Sequence, residues 1–220
     1  MRSEPWSRKM RHLEGVALCG PSLRNDEGDF EYSAARRQPT VTYQLLREGL
    51  GLNESSRVAS ELMRRLRSPY DLERVQSVEA VSGAAMLLRR SALEEVGVFD
   101  PSFRHCGEDV DLCARLLDAG YEIRFVPDAL VWHRRGRSSR QARHRTEMEA
   151  ALGLHRYFEL RGSRADALAY RLVVSGVKAP RQALGALRSF WKSRDRAELQ
   201  RDLALARSLV RFRPLRTCGP

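Results

Sequence analysis

The chain has 220 residues, of which 42% are hydrophobic and 30% charged, and a formal net charge of +11. A chain of this length buries roughly 70% of its unfolded surface, and the balance excludes collagen-like, low-complexity and wholly disordered classes. The charge is unevenly placed: residues 161–220 hold fourteen Lys/Arg against four Asp/Glu, a net of +10, while the remaining 160 residues are at +1. A basic segment on a neutral body suggests an anionic partner, whether lipid head groups, nucleic acid or an acidic protein; a solvated helical face is an equal alternative. The four cysteines, Cys19, Cys106, Cys113 and Cys218, match no zinc or disulfide spacing and read as free, mostly structural thiols of a reducing compartment. No run reaches the ~18 apolar residues of a membrane span. Met1 to Arg11 is polar and basic with no apolar core behind it, so neither a signal peptide nor an integral anchor is expected, and peripheral membrane contact stays open.

In chain order, residues 1–14 form a polar N-terminal segment. Gly15–Cys19 reads as a strand, followed by turn signals at Gly20-Pro21 and at Asn25–Gly28. Residues 41–76 have an irregular helical pattern, with Val58–Arg67 on the surface. Val78–Val81 and Ala84–Leu88 read as buried strands flanking Ser82-Gly83. Ser91-Ala-Leu-Glu94 has the form of a capping box opening a short helix that ends at Gly97. Phe99–Phe103 is an extended turn. Glu108–Ala119 repeats Val110, Cys113, Leu116 and Leu117 at helical period, carries Glu108, Asp109 and Asp111 in its first turn, and closes at Gly120. Glu122–Val126 is a strand broken by Pro127-Asp128 and resumed at Ala129–Trp132, with His133 at its end. Residues 134–145 form an arginine-rich loop. Residues 146–212 follow a helical pattern interrupted at Gly162-Ser163 and Ala179-Pro180. Strand, helix and strand followed by helices indicate an α/β fold with a helical C-terminal extension.

The residues that invite chemistry are Glu108, Asp109, Asp111 and His133. A carboxylate in the first turn of a helix is held by packing and can be aimed. His133 lies 24 residues beyond Asp109, at the end of the next strand. If the helix packs back on the sheet, both share one rim, where a carboxylate and an imidazole can act as base and metal ligand. Spacing alone favours the plainer assignment, a capping acid and a surface histidine.

The longer string alters that balance. Val81-Ser-Gly-Ala-Ala-Met-Leu-Leu-Arg89-Arg90, Val96-Gly-Val-Phe-Asp100, Gly107-Glu-Asp-Val-Asp-Leu112, Gly120-Tyr-Glu-Ile-Arg-Phe-Val-Pro127 and Val131-Trp-His133 occur in order. Together they resemble the acceptor-side half of family 2 glycosyltransferases, nearest to the bacterial rhamnosyltransferase-like and galactofuranosyltransferase-like enzymes. Gly20-Pro-Ser-Leu23 and Asp26-Glu-Gly28 look like the segment after that family's first metal site. The resemblance covers residues 15–140, which would form the partial GT-A domain, with 141–220 as a basic helical extension. It implies an inverting transfer from a nucleotide sugar to a cell-surface polysaccharide or polyprenyl-linked acceptor, at the cytoplasmic face of the membrane. It assigns Asp109 as the base, His133 as a ligand of Mn²⁺ or Mg²⁺, Gly83 as the floor of the site, and Glu108 and Asp111 as acceptor-orienting or helix-bracing residues. The family's donor-binding half and its Asp-x-Asp motif precede this region. Here the only Asp-x-Asp is Asp109-Val-Asp111, inside the helix with no apolar strand running into it, so a truncated enzyme is expected. Two rival classes are a nucleic-acid-binding protein, suggested by the arginine-rich loop but lacking a recognised motif, and a non-catalytic membrane- or partner-binding protein, suggested by Phe190 and Trp191 among regularly placed arginines.

Overall fold

The computed structural model describes residues 14–49, 57–104, 106–133 and 143–212. They form two units. The first takes the described parts of 1–39, 57–101 and 108–136; the second takes those of 40–56, 102–107 and 137–220.

The first unit is organised by two long strands. β1 (Val16–Arg24) is buried from Val16 to Leu23, and β6 (Glu122–Trp132) runs parallel to it. β5 (Leu87–Leu88) adds antiparallel to β1, and β3 (Gln76–Ser77) antiparallel to β6, giving the order β3-β6-β1-β5. β2 (Ala35–Arg36) and β4 (Ala80–Val81) form a separate antiparallel pair. A strand buried at eight consecutive positions is covered on both faces, as parallel strands are. Leu18, Leu23, Ile123 and Phe125 form its centre, together with Leu112 and Leu116 of the helix α4 (Glu108–Asp118). α2 (Arg57–Arg67) and α3 (Arg90–Val96) complete this unit.

Several local expectations are corrected here. Gly20-Pro21 is not a turn; β1 continues through it. A Cβ at Gly20 would sit 2.5 Å from Val81 Cγ1, so the glycine is there to let β4 approach the strand. The Asn25–Gly28 turn does form, with Gly28 N–H donating to Asn25 O at 3.1 Å. Pro127-Asp128 does not divide β6. The ladder instead passes from Pro21↔Val126 to Ser22↔Leu130, a bulge that absorbs the proline without a paired N–H. Ala84–Met86 are not strand, and only Leu87–Leu88 pair. Ser91 is not the cap of α3: the N-cap position is Arg89, with no side-chain cap bond, whereas Gly97 ends the helix as expected. In α2, Val58 is exposed but Met63 is fully buried, and residues 68–75 are not helical.

The second unit is helical: α1 (Val41–Gln44) with its π-type continuation Leu45–Gly49, α5 (Arg143–Arg161), α6 (Arg164–Val173), α7 (Ala179–Ser193) and α8 (Arg196–Arg211). Its core includes Met148, Phe158, Tyr170, Val174, Leu205 and Leu209. The break at Gly162-Ser163 is present, because Ser163 and Asp166 form a reciprocal capping box that starts α6. The break at Ala179-Pro180 is absent. Val174–Lys178 is a π-type turn with helical dihedrals on both sides, so 164–193 is one continuous helix and Pro180 occupies the first turn of α7. The real stop is Arg194 in the left-handed conformation, φ +58°. Phe190 is half-buried, whereas Trp191 is exposed. Most of the 134–145 loop lies outside the described residues, and α5 already begins at Arg143.

Asp195 caps α8, accepting from the Ala197 and Glu198 N–H groups at 2.8 and 3.0 Å. These bonds hold its carboxyl below the ordinary value of 3.8. A depressed folded pKa gives stability that is complete above the unfolded value and lost as pH falls through the folded one. Asp195→Ala should therefore lower the melting temperature at neutral pH, and the gap to the parent should close as the pH falls below 3.8. A gap independent of pH would show that the loss is not that of the charged cap.

Candidate active site

Asp109 occupies the second position of α4, where the helix dipole favours an anion. Its carboxylate is over-determined. Oδ2 accepts from Arg36 Nη2 at 2.5 Å and from the Gly83 N–H at 3.1 Å, and Oδ1 accepts from the Val110 N–H at 2.8 Å. Arg36 comes from β2 and Gly83 follows β4, so the two-stranded sheet brings a guanidinium and a backbone donor to one carboxylate. Arg36 keeps a further buried donor, Nε, for which no described residue supplies an acceptor. An unsatisfied buried donor costs about 1–3 kcal/mol, a cost that an acceptor oxygen of a ligand would remove.

Gly83 is exposed, and a Cβ there would meet Asp109 Cβ at 3.2 Å. A larger side chain would press on the carboxylate from that side. Gly83→Val should leave the fold intact by circular dichroism while lowering any catalytic rate that depends on Asp109; an unchanged kcat would remove Gly83 from the candidate site.

Asp111 lies on a different face of α4. It is 2% exposed and accepts from Arg115 Nε at 2.9 Å. Arg115 in turn donates to the Val96 and Gly97 carbonyls at 2.7 and 3.1 Å and to the Val98 carbonyl at 2.8 Å. This arrangement ties the end of α3 to α4. Glu108 is the first residue of α4 and is partly buried. Cys113 sits on the helix's buried face, where burial pushes its thiol up to about 12 and keeps it protonated.

His133 follows β6, its N–H donating to Arg24 O at 2.8 Å. Its Nδ1 stands 3.2 and 3.1 Å from the two oxygens of Glu31, a residue 6% exposed. A carboxylate oxygen accepts, so Nδ1 donates; in the neutral imidazole this leaves Nε2 with its lone pair, the arrangement usual for an oriented metal-binding histidine. No hydrogen bond or ion pair joins His133 to Asp109, and the described residues contain no group of three or more His, Cys, Asp or Glu able to hold a metal. Among the described residues the imidazole would therefore be a lone ligand to any cation.

Arg36 and Glu31 are the members of this candidate site that sequence reasoning missed. Their partners lie 73 and 102 residues away, and neither sits in a periodic segment that would mark it.

These features belong to a known class. The glycosyl transferase family group 2 profile matches residues 68–195, more than half of the chain, and the protein is a member of that family. The mixed sheet with its flanking helices is accordingly part of a GT-A-like domain. The chain is 34% identical over 130 residues to an N-acetylglucosaminyl-diphospho-decaprenol L-rhamnosyltransferase of Mycobacterium tuberculosis, covering 56% of this chain and 39% of that protein. It is 51% identical over 57 residues to a pre-mycofactocin glycosyltransferase of the same species, covering 26% of this chain and 12% of that protein. The chain therefore spans well under half the length of these curated relatives.

Proposed function

We propose that this chain carries the acceptor and base side of an inverting glycosyltransferase, transferring a hexosyl or rhamnosyl group from a nucleotide sugar to a polyprenyl-linked or cell-surface polysaccharide acceptor. The observation that carries this reading is the fixed Asp109 carboxylate at the start of α4, within the family match. The relative that acts on a decaprenol-linked sugar supports the acceptor class. The acceptor hydroxyl approaches over Gly83 and passes its proton to Asp109 as its oxygen attacks the anomeric carbon in line. The bond from that carbon to the diphosphate breaks, and the nucleoside diphosphate leaves with the electron pair. Arg36 keeps the carboxylate aimed and offers its spare N–H to an oxygen of the ligand. Glu108 borders the acceptor path, and Asp111 braces the helix. Residues 15–140 act as the catalytic portion and 141–220 as an extension that holds the enzyme at the cytoplasmic face of the membrane.

Enzymes of the family generally use a divalent cation. Mn²⁺ or Mg²⁺ would be held in part by His133 Nε2, oriented by Glu31, and when bound it neutralises charge on the leaving diphosphate. A single imidazole is a poor host for a hard cation that prefers oxygen. Calorimetry on the isolated chain should thus find no micromolar Mn²⁺ site. Micromolar binding abolished by His133→Ala would show a self-sufficient site and overturn the expectation that ligands from elsewhere are needed.

The activity itself is tested in a fusion that supplies the donor-binding half of the rhamnosyltransferase relative. Release of nucleoside diphosphate should depend on a polyprenyl-diphosphate-sugar acceptor. Release at the same rate without acceptor, or none with any nucleotide sugar, would refute the reading.

A further inference from the structure

From Ala167 to Arg194 the sequence contains no acidic residue and six basic ones, Arg171, Lys178, Arg181, Arg188, Lys192 and Arg194. α7 lies within this stretch and is amphipathic in an unusual sense. Its buried residues are Ala179 and Ala186, both small. Of its four large apolar side chains only Phe190 is half-buried, and the other three are exposed: Leu184 is 56% exposed, Leu187 43% and Trp191 68%. Spaced at three and four residues, these three form one stripe. Arg181 and Arg188, both exposed, fall along one edge of it, and the Arg194 guanidinium lies over the Trp191 ring at 5.0 Å.

We infer that this face of α7 is a docking surface for an anionic phospholipid membrane. An exposed Leu-Leu-Trp stripe has no use in water. Arginines along its edge can hold their guanidinium groups at the level of lipid phosphates while their stems lie along the apolar face, and a tryptophan at the helix end suits the same interfacial depth. Charge decides between occupants. A second copy of the same face would set one stretch of six basic and no acidic residues against another, and a nucleic-acid backbone would leave the apolar centre of the stripe uncovered. A leaflet of acidic phospholipid satisfies both parts at once. The inference deepens the membrane placement proposed above by naming the surface that makes the contact. It is read by lipid binding without sugar transfer, so that it and the catalytic reading can fail separately.

The test is co-sedimentation of the whole chain with vesicles of phosphatidylcholine alone or with roughly one third phosphatidylglycerol, at low salt and at about 0.15 M, where the screening length is about 8 Å. Binding is expected to the anionic vesicles only, with affinity falling several-fold at the higher salt. Leu184→Ser/Leu187→Ser/Trp191→Ser should lower affinity at least about tenfold with helicity unchanged by circular dichroism. Arg181→Glu/Arg188→Glu should abolish binding. Arg201→Glu/Arg207→Glu, on exposed positions of α8, makes the same change in net charge and should retain most of it. Equal losses from the two arginine pairs would show that net charge alone attracts the chain and would overturn the assignment of a face. So would salt-independent binding to neutral vesicles, binding to duplex DNA with none to vesicles, or a solution dimer dissociated by the serine variant.

Discussion

Asp109→Asn is expected to lower turnover at least about a hundredfold, the scale on which a lost general base is felt. The substitution keeps the size of the side chain and removes its basicity. It also exchanges one acceptor oxygen for a donor NH₂ in a pocket where Arg36, the Gly83 N–H and the Val110 N–H all donate. Some loss of local order therefore accompanies the loss of the base, and the thermal transition must be measured beside the rate. Arg36→Met separates the two effects, since it removes the ion pair and leaves a carboxylate able to take a proton; its effect on kcat should be the smaller of the two. A folded Asn variant with near-parental kcat in the donor-supplied fusion would show that the proton goes elsewhere.

Arg115→Met should cost at least about 3 kcal/mol in urea unfolding, the usual penalty for breaking a buried pair from one side. The spacing of Asp111 and Arg115 is that of an ordinary surface helix pair, worth about 0.3–0.5 kcal/mol. Burial decides which figure applies: the side chains are 3% and 20% exposed, respectively, and Arg115 also satisfies three carbonyls around the end of α3. The same variant tests the role of Asp111. If Asp111 braces the helix, stability falls and acceptor KM holds once folding is restored at lower temperature. A cost below about 1 kcal/mol, within the surface range, would mean that water reaches the pair and the brace is not needed.

What could be seen in the sequence divides along physical lines. α4 was legible because its apolar positions repeat at helical period, acids crowd its first turn and Gly120 closes it. The Asn25–Gly28 turn and the break at Gly162-Ser163 were legible for the same reason, being written in adjacent residues. Gly20-Pro21 misled because those residue types usually mark a turn, while here the constraint came from Val81, some sixty residues away. Pro180 misled because a π-type turn can take up a proline that an ideal helix interior would reject. The base could be nominated from its position and from the resemblance, but its setting could not. The two-residue strands that carry Arg36 and lead to Gly83 are too short to have a period, and their pairing is non-local.

The parallel pairing of β1 with β6 has a consequence for how the protein is made. Val16 is matched with Glu122, so the most apolar strand of the chain leaves the ribosome about a hundred residues before its central partner exists. At roughly 5–20 residues per second, the wait is on the order of 5–20 s. Meanwhile, among the described residues, the strand pairs with just the Arg24–Phe30 bridge at its end and, once it has been made, the two-residue β5. Closing so long a loop before the reward of pairing makes folding slow, and an eight-residue buried segment held open for that time is the part of this chain on which chaperone capture and misassociation would act first.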